Sequence, residues 1–428
     1  MHRHALALVL LALTFGVVDA STADAARRGA CVVGLPGPGC DVWKGKVTSV
    51  NDGDTMDVDV TGDGTARSRR IRFAGVQAME QTAYSSRHRL GDCHAVEATE
   101  RLEGLVRRSR GLVRLAAEDP ETMSRGRYVR TVAVKQRGRW RDVGTIMLSE
   151  GRALWWGSWA ESAPNARYSV LVQDSIAAQR GLFDPDGCGV GPSPASPLKL
   201  WVNWDADGDD TANPSGEWVK IRNLDPVNPV PLAGWYLRDS GLRRYTFPAD
   251  AVIQPGATVT LDVGRDGNGI DVFSWGLRDP VFENATHDED AMGDGAYLFD
   301  PLGNIRANMI YPCRVLCTDQ LQGAVDVTAD PRGRDEAAVV TNRTAGAIDL
   351  EGYILKSPPQ SYHFGPGSVL PPGGAMRIQV TGQPEEDEPL DRSWGFAKPI
   401  LRDAGDVVKI LTYTDITLAC TAWGDKGC

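Results

Sequence analysis

Two stretches of this chain echo one another, and a chain with an internal repeat has to build the same module twice. Beginning at Ile221, the positions Asn223, Leu232, Gly234, Leu237, Tyr245, Phe247 and Gly256 recur after Val340 as Asn342, Leu350, Gly352, Leu355, Tyr362, Phe364 and Gly373. Each copy then reaches a Ser-Trp-Gly triplet, at Ser274 and Ser393, and later a cysteine pair. Strand-like runs with turn residues at about every tenth position read as β-sandwiches of about 110 residues. The repeat predicts two of them in tandem, over residues 199–317 and 318–428. The second is degenerate, with Tyr353 where the first has Trp235.

The chain before the repeat has a different character. "CGVGPSPASPLKL" (Cys188 to Leu200) is rich in Gly, Pro and Ser and reads as a linker, set at residues 189–198. Upstream, "KVTSV", "TMDVDVT", "RRIRFAGV", "LVRLAA" and "YVRTVAV" alternate with the period of a strand. "CHAVEATERLEGLVRRS" places Ala95, Ala98, Leu102, Leu105 and Val106 on one helix face, with Asp92 as its cap. "NARYSVLVQDSIAAQRGLF" makes a second helix, capped by Asn165, with Tyr168, Leu171, Val172 and Ile176 in one stripe. Five strands, with a helix after the third and more at the end, predict a small closed barrel of OB-fold type over residues 42–188. The fold class is therefore mostly β and multidomain: an OB-fold β-barrel with about three helices, then two sandwiches.

His2, Arg3 and His4 precede the apolar run Ala5 to Val18, and small residues follow it. That is the pattern of a secretory signal peptide, set at residues 1–25, ahead of an N-terminal extension over 26–41. At fourteen residues the run is short for a membrane span, and no later stretch could cross a membrane. The expected location is secreted or extracellular, with cell-surface association left open. All eight cysteines lie beyond the signal, and an even number in an exported chain favours disulfides. Proximity along the chain pairs Cys31 with Cys40, Cys93 with Cys188, Cys313 with Cys317 and Cys420 with Cys428. Half a zinc site at Cys313 and Cys317 is disfavoured, because no second cysteine pair with histidines follows at finger spacing.

A net charge of −10 looks unsuited to a polyanionic partner until it is divided. Residues 41–190 hold 23 Lys+Arg against 20 Asp+Glu, a balance of +3, while residues 191–428 hold 20 against 34, a balance of −14. Only the N-terminal part is electrostatically suited to phosphate. There, Asp52 and Asp54 flank Gly53 on a turn, Arg72 lies on the next strand, and Glu80 follows eight residues later. A Gly-Arg pair, Gly126 and Arg127, comes after the following helix and strand. Taken alone, "NDGD" is better read as a hairpin turn, and only the combination carries chemistry.

That combination resembles the staphylococcal nuclease (thermonuclease) family over residues 42–186, including "GTIMLSEGRALWW" and the closing "AAQRGLF". The downstream repeat resembles the lamin tail domain, an immunoglobulin-like sandwich. The nuclease resemblance implies that Arg72 and Arg127 stabilise charge on the phosphate, Arg127 also assisting the leaving oxygen. Glu80 would orient or deprotonate the attacking water. A calcium ion (Ca2+) would be held by oxygens, with Asp54 as its first carboxylate and Asp52 as an outer partner. Two departures stand out. Gln77-Ala78-Met79-Glu80 replaces the usual Asp-Ala-Pro-Glu or Asp-Thr-Pro-Glu, leaving the Gln77 amide and the Ala78 carbonyl as neutral calcium ligands. The loss of Pro is expected to loosen the turn that aims Glu80. Arg125 stands where an aromatic usually precedes Gly-Arg, so base stacking passes to Trp155, Trp156 or Trp159, with Arg125, Trp156 and Trp159 taken as substrate-binding.

"WDADGDDTAN" (Asp205, Asp207, Asp209, Asp210) resembles the start of a calcium loop without its later Gly and Glu, and a solvated acidic loop is the preferred reading. "HDEDAMGD" from His287 is weaker still. No "HExxH", "GxSxG" or phosphate loop occurs, and four histidines beyond the signal argue against a histidine-centred hydrolase. The leading expectation is a secreted calcium-dependent nuclease acting on DNA and RNA and leaving 3′-phosphates, with sandwiches that bind or anchor and the cell envelope as a candidate partner. The rival is a catalytically weak or inactive nucleic-acid-binding or cell-surface adaptor.

Overall fold

The computed structural model describes residues 27–37, 39–81, 91–191, 197–207, 210–264, 271–333, 335–384 and 388–428. The signal-peptide reading, Asp209 and half of the linker fall outside the described residues.

Five strands close the barrel: β1 (Gly39–Val50), β2 (Thr55–Val60), β3 (Arg69–Phe73), β4 (Leu112–Ala117) and β5 (Arg127–Gln136). They run β1-β2-β3-β5-β4, and β4 pairs back onto β1, so no barrel edge is left. Only the β3–β5 pairing is parallel, as the expected OB-type topology requires. Period-two patterning drives this closure: Met56, Val58, Ile71, Leu115, Val132 and Val134 all turn inward and are buried. Helices α1 (Ala95–Arg108), α2 (Val143–Ser149) and α3 (Asn165–Ala177) pack on the outside.

Two expected helix caps are not caps. His94 in a left-handed conformation starts α1, and Asp92 instead accepts from the Glu80 amide and lies 3.6 Å from Arg244 of the first sandwich. Asn165 is the first helical residue of α3, fully buried, and its amide donates to the carbonyls of Ser158 and Asp290. In both places a long-range partner took a side chain that local pattern assigns to the helix end.

The repeat yields two sandwiches of the same design. The first stacks a sheet of Leu198–Asn203, Trp218–Asn223, Thr258–Asp262 and Val272–Ser274 against one of Arg244–Thr246, Tyr236–Asp239, Asp294–Phe299 and Ile305–Tyr311. The second repeats that order, down to the parallel pairing of Ala375–Thr381 with Asp391–Phe396. The recurring asparagines explain themselves. Asn223 donates to Asn228, Ile253 and Gln254 carbonyls, and Asn342 to those of Gly346, Leu370 and Pro371. Each satisfies a buried loop that has no strand partner. A further matched pair escaped the sequence reading. Glu217 accepts from the amides of Val281 and Phe282, and Glu336 from those of Ile400 and Leu401.

The four disulfides join the expected pairs, 31–40, 93–188, 313–317 and 420–428, and among the described residues no cysteine is free. Their number places the folded chain in an oxidising compartment. No helix of the described residues is long and apolar enough to cross a membrane.

The modules are not beads on a string. Tyr236, Tyr297, Phe299, Ile305 and Ile310 of the first sandwich belong to the same buried cluster as the barrel interior and its helices. Between the sandwiches, Trp218 of the first packs edge-on against His363 and Tyr413 of the second, and His363 Nδ1 lies 2.8 Å from the Tyr413 hydroxyl. Burial, with Lys220 and Lys356 nearby, pulls His363 down to about 4. A neutral histidine of this kind contributes stability above its ordinary pKa, and that contribution is lost as pH falls toward 4, because the unfolded chain takes up the proton first. His363→Phe is expected to remove about 2 kcal/mol of acid destabilisation between pH 7 and pH 4.5. Urea midpoints across that range would test this, and parallel curves for both proteins would refute it.

Candidate active site

The turn between β1 and β2 carries Asp52, Gly53 and Asp54. It packs so closely that a Cβ on Gly53 would lie 2.7 Å from the methyls of both Ala78 and Ala98. Only glycine lets the turn descend onto the segment after β3, and this brings the two aspartates to Gln77 and Ala78. Asp52 Oδ1 accepts from the Asp54 amide at 3.0 Å. Asp54 Oδ1 accepts from the Thr55 hydroxyl at 2.8 Å, and its Oδ2 accepts from the Ala78 amide at 2.8 Å.

Pairing of β2 with β3 sets Thr55 opposite Arg72, and the parallel pairing of β3 with β5 brings in Arg127. Arg72 is only 3 % exposed. Its Nη1 lies 3.0 Å from Asp54 Oδ2 and donates to the Val76 carbonyl, and its Nη2 donates to Gln77 Oε1 at 2.5 Å. Gln77 then turns its amide nitrogen to the Ala78 carbonyl at 3.0 Å and to Glu80 Oε1 at 3.1 Å. On the other side Arg127 Nη1 donates to the Thr55 hydroxyl at 3.3 Å and its Nε to the Ser124 carbonyl. One unbroken chain of polar contacts thus runs Arg127, Thr55, Asp54, Arg72, Gln77, Glu80. Thr55 joins the two arginines and was absent from the sequence reading, where nothing marks it beyond adjacency to Asp54.

The electrostatics follow from burial. Desolvation and the neighbouring Asp54 push Asp52 up to about 7. Desolvation first, then Asp54, raises Glu80 above the ordinary carboxyl range, opposed by Arg238, Arg72 and the Gln77 hydrogen bond. Burial and the like charge of Arg72 lower Arg127 from its ordinary value.

Gln77 and Ala78 were expected as neutral calcium ligands, and both oxygens already accept from protein donors. A carbonyl oxygen keeps a second lone pair, so neither is chemically spent. With Asp52 and Asp54 the donor set is all oxygen, which suits calcium, and two buried carboxyls so close together gain from a cation. Among the described residues the one group of three clustered metal-type side chains is Cys93, His94 and Cys188, and its two sulfurs form a disulfide.

Met79 does not behave as a loosened turn. It is buried, and Arg238 of the first sandwich places Nη1 3.6 Å from its sulfur, so a contact 159 residues away holds the turn that proline would have stiffened.

The aromatic candidates separate. Trp155 is fully buried in the core. Trp156 borders the site, its ring centroid 5.8 Å from the Arg72 guanidinium carbon. Trp159 is 50 % exposed, but its indole donates to Glu283 of the first sandwich at 2.8 Å, and it does not line the cleft that holds Arg127. Its role as a stacking platform is therefore replaced by one at the module boundary. Arg125 and Gly126 both have positive φ and form the tight turn between Met123–Ser124 and β5, which leaves Arg125 exposed at the cleft.

The acidic loop is also accounted for. Asp205 pairs with Lys356, Asp207 accepts from the Ser361 amide at 3.0 Å, and Asp210 accepts from Asn284 at 2.7 Å. Asp205 and Asp207 dock the first sandwich onto the second. His287 of the weaker acidic motif meets Asp415 of the second sandwich.

No curated protein matches the chain. Residues 202–312, the first sandwich and not the barrel, match the family model of the Lamin Tail Domain.

Proposed function

We propose that the chain is a secreted nuclease that hydrolyses phosphodiester bonds of DNA and RNA at the mouth of its barrel. The observation that carries this reading is the continuous polar chain from Arg127 to Glu80, which joins two guanidiniums and one carboxyl of raised proton affinity across three strands and a turn. Arg127 is half-buried with donors to spare, and it binds a non-bridging phosphoryl oxygen and stabilises the charge that grows there. Arg72 holds Asp54 and Gln77 in place and adds its positive charge behind the same phosphate site. Glu80, shifted toward neutrality, is suited to take a proton from water, and the Gln77 amide aims it. Calcium, held by Asp54, Asp52 and the Gln77 and Ala78 carbonyls, would supply Lewis-acid charge at the phosphate.

One observation favours a binding-only protein: Arg72 is enclosed by Asp54, Val76 and Gln77, which leaves Arg127 the more accessible of the two arginines. A calcium titration of cleavage on single-stranded DNA and on RNA separates the two. The nuclease reading expects cleavage that rises toward millimolar calcium and stops with chelator. Retention of DNA without cleavage at every calcium level would favour the rival. Gln77→Asp adds a charge to the proposed shell and is expected to lower the calcium midpoint on the order of tenfold. An unchanged midpoint would remove Gln77 from the metal shell.

A further inference from the structure

The first sandwich meets the barrel at the candidate site itself. A cleft of about 380 Å³ is lined on one side by Gln77, Arg125, Arg127 and Trp156 of the barrel. Its opposite side is the sandwich turn bearing Leu242 and Arg243. We propose that this turn is a working wall of the nucleic-acid site, with Arg243 contacting a phosphate next to the one bound by Arg127. The proposal rests on the nuclease reading of the same cleft, and it gives the lamin tail module a part in substrate binding rather than remote anchoring.

Three features support it. The turn is built rigidly. Arg238 is buried and donates to the Gly241 carbonyl, while Asp239 accepts from the Arg243 amide at 3.0 Å and its own amide donates to the Arg243 carbonyl. A side chain carried on such a turn loses little freedom on binding. Second, the Arg243 guanidinium is exposed and, among the described residues, uses one of its five donors, on the Pro280 carbonyl. Third, the acids on the cleft wall are largely committed elsewhere. Asp239 serves the turn and is itself pushed up to about 6 by burial, and Glu283 accepts from Trp159. Asp279, exposed on the rim, is left to set the outer boundary for a polyanion. Arg125, Arg127 and Arg243 therefore face one cleft with Trp156 beside them, which is a row of phosphate donors with a stacking face.

The test is binding of a short fluorescent single-stranded deoxyoligonucleotide by the full chain carrying Glu80→Gln, followed by anisotropy across a salt series. Removing one phosphate contact should lower the slope of log K against log salt by about 0.7 and weaken binding roughly five- to tenfold. Arg243→Ser is expected to do both, and Trp156→Ala to weaken binding without changing the slope. Arg332→Ser, on the far sandwich, is expected to change neither. If Arg243→Ser retains both slope and affinity, the wall assignment is overturned while wild-type cleavage leaves the nuclease reading intact. If the wild-type chain neither cleaves nor binds, the nuclease reading falls and takes the proposal with it. Arg243 is exposed, so its replacement should leave the melting temperature unchanged, which separates loss of contact from loss of fold.

Discussion

Replacing Arg127 by alanine is expected to lower phosphodiester cleavage by about 10²–10³-fold, the cost of losing one donor aimed at developing charge. The fold should survive. Arg127 is only partly buried and its contacts are to one hydroxyl and one carbonyl, so the loss of stability should stay near about 1 kcal/mol. Arg127→Lys keeps the charge but not the planar fork, and it should recover only a small part of the activity. Glu80→Gln should fall by about 10²–10⁴-fold, since an amide cannot take the proton. Single-turnover cleavage at saturating substrate, with urea denaturation of the same samples, is the measurement. An Arg127→Ala protein that cuts at the wild-type rate would remove the guanidinium from the chemistry.

Arg72 makes the opposite case, because there fold and chemistry are inseparable. Its ion pair with Asp54 is almost fully buried on both sides. Arg72→Met would leave Asp54 charged in a dry site, with the Ala78 amide and Thr55 hydroxyl as its remaining donors among the described residues. Breaking one side of such a pair costs about 3–5 kcal/mol. The double variant Arg72→Met with Asp54→Asn removes the orphaned charge and should recover much of that stability without recovering cleavage. Denaturant midpoints and initial rates, read together, distinguish these. If the double variant is as unstable as the single one, the pair is not what holds the turn.

Much of the candidate site was legible because Asp52 to Glu80 are close in sequence and Arg127 stands at the start of a plainly alternating strand. Asp54, Arg72 and Arg127 occupy strands or strand ends whose apolar alternation is plain, so their convergence follows once the barrel closes. Gln77 and Glu80 follow soon after the end of β3, which keeps them beside Arg72. The disulfides were readable by proximity, three of them closing loops of nine residues or fewer. Less legible was how Gln77 is used. Its identity pointed to a neutral metal ligand, while its two ends are also what bridges Arg72 to Glu80. For Trp159 and the acidic loop, local pattern gave no sign of a distant partner. Each looks solvent-directed in its own segment, and each is claimed by a partner more than 120 residues away.

The repeat, the two fold types and the identity of the charged cluster were determined by the sequence alone. They depend on periodicity and on contacts between neighbouring segments, which leave a local trace. Tertiary structure alone decided that the first sandwich shares a core with the barrel, clamps Met79 through Arg238 and brings Arg243 to the cleft. Those contacts join surfaces whose residues must be complementary only when folded, so no pattern within either segment announces them.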